Sequence, residues 1–291
     1  MLFRSQAMTT GPSTHAALAR ARTLLFVPGD RAERFDKALH SGADAVVLDL
    51  EDAVAAAAKA AAREAIGAAW PRLRSKAVPL VVRMNDARTD AGRTDLDWLA
   101  RLAAPAAVIV PKADAVGTLS AVAERLPGIA IVPLIESAAG YAALPAIAAA
   151  HGVLRLAVGH IDFMADTGLQ CSDDERELVP LRFAVAMATR LAGLAPAVDG
   201  VTAAFDNDER LRADTLRALH FGFGAKLCIH PRQIAVVHRA LAPSEGELDW
   251  ARRVVAADAA AGGAAVQLDG RMVDAPVVLQ ARRTLARTLV P

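Results

Sequence analysis

Two carboxylates, Glu136 and Asp162, stand where short apolar runs stop. The run Ile131-Val132-Pro133-Leu134-Ile135 ends abruptly at Glu136-Ser137, and the run Leu154-Arg155-Leu156-Ala157-Val158 leads through Gly159-His160-Ile161 to Asp162. Branched aliphatic runs of this length suit strands buried on both faces. Ser137 and the alanines after it suit the start of a helix, with Ser137 as N-cap. If both carboxylates share one site, they are the hard oxygen ligands that Mg²⁺ takes, and Mn²⁺ would accept the same pair. Mg²⁺ keeps several waters and completes its shell with substrate oxygens. Either carboxylate alone could equally well cap the helix behind it.

Other apolar runs also end on polar residues: Pro28-Gly29, Glu51-Asp52, Arg83 and Asn85, Lys112 and His230. Arg83 follows Leu80-Val81-Val82 and could clamp a substrate carboxylate through two parallel hydrogen bonds. A salt bridge to Glu51 or Asp52 is the alternative, and both can hold at once. Glu51 and Asp52 could accept hydrogen bonds from metal-bound water and orient Arg83, with at least one of the two facing solvent. Lys112 could be a Schiff-base nucleophile, but a salt bridge is the expected role. His230 is held extended by Pro231 and either touches a ligand or forms a hydrogen-bonded rim residue. His160 is read in the same way. Nothing near Cys171 in the sequence would lower its pKa, so it receives no role.

Eight apolar runs precede eight helix-like segments. They start at Thr23, Ala45, Pro79, Ala106, Ile131, Leu154, Ala195 and Ala225. This alternation is that of an α/β chain, and the count predicts a (β/α)8 TIM barrel with its active site at the carboxyl ends of the strands. A doubly wound open sheet is the alternative, but no GxGxxG opens the first helix. The barrel is expected over residues 21–243, after a flexible leader over residues 1–20 and before a helical tail over 244–291. That tail contains a hairpin-like stretch, Val266–Val273, between two helices. Residues 163–177 carry Asp173, Asp174, Glu175 and Glu177 and exceed the usual length of a βα loop, so they are expected to form a functional loop or lid.

Composition narrows the class. A net charge of +1 and the lack of any lysine/arginine block give no support to nucleic-acid binding. No run has the apolar length of a membrane span. Two cysteines, Cys171 and Cys228, form neither a zinc pattern nor a disulfide framework, which makes a reducing cytoplasm the expected location.

Several segments together resemble the citrate lyase β-subunit (CitE-like) family of the HpcH/HpaI aldolase superfamily. They are Leu25-Phe26-Val27-Pro28-Gly29-Asp30, Gly42 to Val54 with Leu48-Asp49-Leu50-Glu51-Asp52-Ala53-Val54 at its end, Val82-Arg83-Met84-Asn85, Val110-Pro111-Lys112, Leu134-Ile135-Glu136-Ser137 and Cys228-Ile229-His230-Pro231. The resemblance implies a Mg²⁺-dependent carbon–carbon lyase that splits a 3-hydroxyacyl-CoA thioester into acetyl-CoA and a 2-oxo acid. By motif it implies Glu136 and Asp162 as metal ligands, Arg83 as the carboxylate-binding arginine, and Glu51 and Asp52 as the acidic pair beside the metal. Lys59 and Arg63 are implied as contacts to CoA phosphates. Gly159 and His160 are expected at the substrate, and Pro28 and His230 on the CoA side. A homo-oligomer, trimer or hexamer, with the C-terminal tail reaching a neighbour is implied as well. Where many relatives carry a Gly-x-Glu-Asp stretch, this chain has Gly159-His160-Ile161-Asp162. That resembles the citramalyl-CoA lyases of itaconate breakdown and puts citrate itself in doubt. A malyl-CoA lyase/thioesterase (malate synthase-like) activity is the second possibility. A β subunit acting only on an acyl carrier protein thioester is the third, and a regulatory barrel without turnover the last.

Overall fold

Eight parallel strands close on themselves in sequence order. The computed structural model describes residues 14–102 and 105–289. Helix α1 (Thr14–Arg20) leads into β1 (Thr23–Pro28), α2 (Phe35–Leu39), β2 (Ala45–Asp49), α3 (Lys59–Leu73), β3 (Leu80–Arg83), α4 (Asp90–Leu99), β4 (Ala107–Val110) and α5 (Val116–Arg125). The barrel continues through β5 (Ala130–Ile135), α6 (Ala138–Ala142), α7 (Leu144–Ala148), β6 (Ala157–Val158), α8 (His160–Thr167), α9 (Val179–Leu191), β7 (Val198–Asp199), α10 (Asp208–His220), β8 (Ala225–Cys228) and α11 (Gln233–Leu241). This is the α/β (β/α)8 barrel that the alternating pattern predicts. No helix of the described residues is long and apolar enough to cross a membrane.

Side chains alternate across each strand, so every second residue points into the barrel. Ala45 and Val47, Val81, Ala107 and Ile109, Val132 and Leu134, Ala157, Val198, and Ala225 and Leu227 fill that interior with Leu24. Extending the same alternation by one step places Asp49, Arg83, Glu136 and Gly159 on the inner face at the carboxyl end. The strands stop being apolar where the interior opens, and this is how the sequence positions the site.

The amino-terminal end of the barrel is closed by a segment expected to lie in the flexible leader. Thr14–Arg20 is helical, and Leu18 is fully buried against Leu24 and the interior layer. Arg155, itself buried, donates from Nη1 to the carbonyls of Leu18 and Ala21 at 2.9 Å each and from Nε to Pro196 O at 2.9 Å. A buried guanidinium needs such acceptors, and the end of α1 supplies two of them. Residues 1–13 of the expected leader lie outside the described residues.

The chain divides into two compact units within α11, between Val237 and His238. The second unit contains α12 (Glu245–Ala260), a hairpin of β9 (Val266–Leu268) and β10 (Arg271–Val273), and α13 (Ala275–Ala286). Ser244 and Glu247 form a capping box at the start of α12. The hairpin turns at Asp269-Gly270, where φ is 50° and 74°; this is the sequence signature of a type I′ connection. Ala251, Val254, Val273, Val278 and Ala281 form this unit's own core.

Candidate active site

Arg83 is held before any ligand arrives. Its Nε and Nη2 donate to Oδ1 and Oδ2 of Asp49, both at 2.6 Å. Asp49 is fully buried and also accepts the main-chain N–H of Glu51 at 3.0 Å and of Ala53 at 3.1 Å. The guanidinium lies 4.8 Å above the Phe26 ring. Two of its five N–H groups are spent on this fork, and the rest face the acidic rim. The expected partners come second. Glu51 Oε2 is 2.8 Å from Nη1 as an ion pair, and Asp52 lies at 3.6 Å with its side chain largely in solvent. Asp49 is the residue that inspection of strand ends missed. It lies within an apolar run, and only the inward alternation from Val47 marks it.

Glu51 is short of donors. Its Oε2 is buried, and the Arg83 contact is not aligned as a hydrogen bond, so that oxygen lacks a hydrogen-bond partner. Burial pushes the Glu51 carboxyl up to about 8; Arg83 opposes the shift, and Glu136, Asp52 and Asp49 add to it. Glu136 is also buried, and burial pushes it up to about 7 against the pull of Lys112. Five carboxylates (Asp49, Glu51, Asp52, Glu136 and Asp162) thus face two cations, Arg83 and Lys112.

Glu136 follows β5, and Ser137 caps α6 as expected, its Oγ accepting Gly140 N–H at 3.0 Å. Asp162 is not at a strand end. β6 stops at Val158, Gly159 is the N-cap of α8, and Asp162 projects from the first turn of that helix. The expected ion pair of Lys112 is made here, its Nζ lying 2.8 Å from Asp162 Oδ1 and 3.4 Å from Glu136 Oε1. Gly159 is small for a reason visible in the packing: a Cβ there would come within 2.5 Å of Glu136 Oε2.

A metal suits this end of the barrel. An orphaned buried carboxylate oxygen, two carboxyls driven upward by burial among like charges, and a glycine cradle beside Glu136 Oε2 all call for a cation. Among the described residues no three His, Cys, Asp or Glu side chains enclose such a site. Two protein carboxylates with the remaining positions left to water and substrate is the Mg²⁺ pattern.

The other expected residues are placed as follows. The Lys59 ammonium donates to Leu50 O at 2.9 Å, to Glu51 O at 3.0 Å and to the Asn85 side chain, which uses all three of its protons. Arg63 donates to the buried Asp95 at 2.7 Å, and Asp95 in turn accepts from Asn85. Both cations therefore fix the loop that carries Glu51 and Asp52. Pro28 is half-buried at the end of β1. His230 stacks on Phe205 at 5.1 Å and accepts Arg232 N–H at 3.2 Å. The His160 ring is buried with Nδ1 against Gly200 and without a hydrogen-bond partner, and burial holds its pKa below the ordinary value.

A cavity of 390 Å³ opens between these groups. Phe26, Leu134, Val201 and Leu227 give it an apolar floor, with Arg83, Glu136, His160 and Asp162 around it. A cleft of 530 Å³ between the end of α8 and the loop over 168–175 contains none of the expected site residues. That loop is anchored at its carboxyl-terminal end. Glu175 pairs with Arg182 at 2.6 Å, Arg217 at 2.8 Å and Arg210 at 3.0 Å. Behind β7, Arg182 and Lys226 also hold Asp199 at 3.1 and 3.0 Å. Burial alone would raise Asp199, but these two cations outweigh it and hold its pKa at about 2.

Comparison with known proteins identifies the family. Residues 22–231 match the family described as HpcH/HpaI aldolase/citrate lyase. The chain is 36% identical over 283 residues to a citrate lyase subunit beta-like protein of Deinococcus radiodurans, covering 94% of this chain and 99% of that one. It is 32% identical over 269 residues to a (3S)-malyl-CoA thioesterase of Cereibacter sphaeroides, covering 91% and 94%. The crystal structure of the protein CitE from Mycobacterium tuberculosis in complex with magnesium, acetoacetate and coenzyme A superimposes with a TM-score of 0.80 at 35% identity, over 92% of this chain and 98% of that one.

Proposed function

The chain belongs to the HpcH/HpaI aldolase/citrate lyase family, and from that premise we propose that it is a Mg²⁺-dependent carbon–carbon lyase cleaving a 3-hydroxyacyl-CoA thioester to acetyl-CoA and a 2-oxo acid. The observation that carries the proposal is a rigid arginine facing two carboxylates across one cavity, Arg83 being locked by Asp49 opposite Glu136 and Asp162. Solved relatives support the ligands: Mycobacterium tuberculosis proteins have been crystallised with magnesium, acetoacetate and coenzyme A, and with oxaloacetate and magnesium.

Glu136 and Asp162 would hold the metal. Bound Mg²⁺ would supply Lewis-acid polarisation of the substrate's hydroxyl oxygen, the atom that becomes the keto oxygen of the 2-oxo acid. Arg83 offers its unspent N–H groups to the substrate carboxylate and stabilises the charge that develops. The hydroxyl proton leaves, the bond between C2 and C3 of the thioester breaks, and its electron pair moves onto the acyl half as the enolate, which takes a proton at carbon. Glu51 would accept the hydroxyl proton; its Oε2, buried beside Arg83 with no hydrogen bond of its own, supports that role. Asp52 assists from the solvent side. The apolar floor favours a small alkyl group on the departing 2-oxo acid, since a second carboxylate there would be desolvated without a cation. Citramalyl-CoA, which gives pyruvate, fits this better than citryl-CoA.

Two relations suggest rivals on the same site. The Cereibacter relative is named a thioesterase, and a citrate lyase subunit beta of Escherichia coli is 33% identical over 281 residues. The test is to supply citramalyl-CoA, citryl-CoA and malyl-CoA in turn, with Mg²⁺ or with EDTA, and follow each 2-oxo acid, acetyl-CoA and free CoA. Pyruvate and acetyl-CoA in equal amounts from citramalyl-CoA, abolished by EDTA, is the expected result. Free CoA in place of acetyl-CoA would establish the thioesterase. Turnover only of an acyl carrier protein thioester would establish the subunit role. A homo-oligomer, trimer or hexamer, is proposed on the family relation and is checked by light scattering.

A further inference from the structure

One residue holds both candidate metal ligands. Lys112 follows β4 with φ at 49°, in the left-handed region that a non-glycine residue rarely enters. That conformation aims its main-chain N–H at Glu136 Oε1, 2.7 Å away. Its ammonium then lies 2.8 Å from Asp162 Oδ1 and 3.4 Å from Glu136 Oε1. A single positive charge between two carboxylates from different elements sits as a metal cation would. The other nearby cation, Arg83, is committed to Asp49 and Glu51. Lys112 is also free to leave, because its side chain is 32% exposed and that of Asp162 39% exposed. The stem can swing to solvent while the main-chain bond to Glu136 stays.

We propose that the Lys112 ammonium is the built-in counter-ion of the cation site: it holds Glu136 and Asp162 together when no divalent ion is bound, and it gives way when one binds. This rests on the assignment of Glu136 and Asp162 as metal ligands. Its consequence is a sign. A lysine that only braces the ligands would, when removed, weaken metal binding. A lysine that competes for the same carboxylates would, when removed, strengthen it, because a like charge next to the ion is lost.

Mn²⁺ binding to the full-length protein is measured by calorimetry for the wild type, Lys112→Met and Lys112→Arg. Lys112→Met is expected to bind about tenfold tighter or more, and Lys112→Arg within about threefold of the wild type. Mg²⁺ is also expected to raise the melting temperature of Lys112→Met by more than that of the wild type. Equal or weaker Mn²⁺ binding by Lys112→Met overturns the proposal. If the methionine variant does not fold, Lys112→Gly carries the same expectation, since glycine suits this φ and keeps the N–H that Glu136 accepts. Glu136→Gln separates the two levels. Unchanged Mn²⁺ binding in that variant would mean the cation site itself lies elsewhere. Its loss, together with unaltered affinity in Lys112→Met, would remove only the counter-ion role.

Discussion

Replacing Asp49 with Asn should cost both stability and turnover, and the structure sets the scale. Asp49 is fully buried and receives four donors, two from Arg83 and two from main-chain N–H groups. The amide preserves the shape but removes the charge and turns an NH₂ group toward a guanidinium that has only donors to offer. Arg83 is then a buried cation left with Glu51, an ion pair that is not aligned as a hydrogen bond. Breaking a buried pair in this way costs about 3–5 kcal/mol. For a barrel of this size that is a fall in Tm of roughly 6–20 °C. The catalytic loss should be larger than stability alone explains, because the fork is what aims Arg83; a fall in kcat/KM of about 100-fold or more is expected. Urea denaturation with and without Mg²⁺, together with the coupled pyruvate assay at a temperature where the variant is folded, separates the two effects. A variant within about 1 kcal/mol of wild type and within about threefold in kcat/KM would refute the reasoning that Asp49 orients Arg83.

Three further outcomes follow from the packing and the charges. Gly159→Ala should abolish Mn²⁺ binding detectable by calorimetry while leaving a folded barrel, since the new Cβ would come within 2.5 Å of Glu136 Oε2 and push that carboxylate away. Metal-free protein should lose stability as pH rises from about 4.5 to 8. Glu51 and Glu136 have folded values of about 8 and 7 against 4.5 when unfolded, so the folded state binds more protons in that window and its advantage is lost above it. The drop, on the order of a few kcal/mol by urea denaturation at pH 5 and pH 8.5, should shrink in excess Mg²⁺. Leu18→Ala should destabilise by about 2–4 kcal/mol in the same assay, as a core truncation does, although the residue lies in a stretch that reads as a leader.

The barrel was legible because its signal is periodic. Eight short apolar runs, each followed by a helix-like segment, match the count of a (β/α)8 barrel. The ends Arg83 and Glu136 were legible because an apolar run stops at each. Asp162 was located in sequence but misplaced in structure, because Gly159 starts a helix where the run of apolar residues seemed to continue. Asp49 was hidden by its apolar neighbours. The protein partners of Lys59 and Arg63, which the family resemblance implies as contacts to CoA phosphates, were not legible. Exposed-looking basic residues near a presumed phosphate site are committed to Asn85, to Asp95 and to loop carbonyls, partners that lie 8 to 32 residues away and become visible only in three dimensions. The helix α1 was hidden because the acceptors it gives Arg155 lie more than 130 positions from that residue.

The central claim is that Glu136 and Asp162 hold the metal that makes carbon–carbon cleavage possible opposite Arg83. Its most direct test is the citramalyl-CoA cleavage rate of Glu136→Ala at saturating Mg²⁺, with folding confirmed by circular dichroism. Loss of pyruvate release to the level of the EDTA-treated wild type is the expected result. A full lyase rate in that variant would contradict the account.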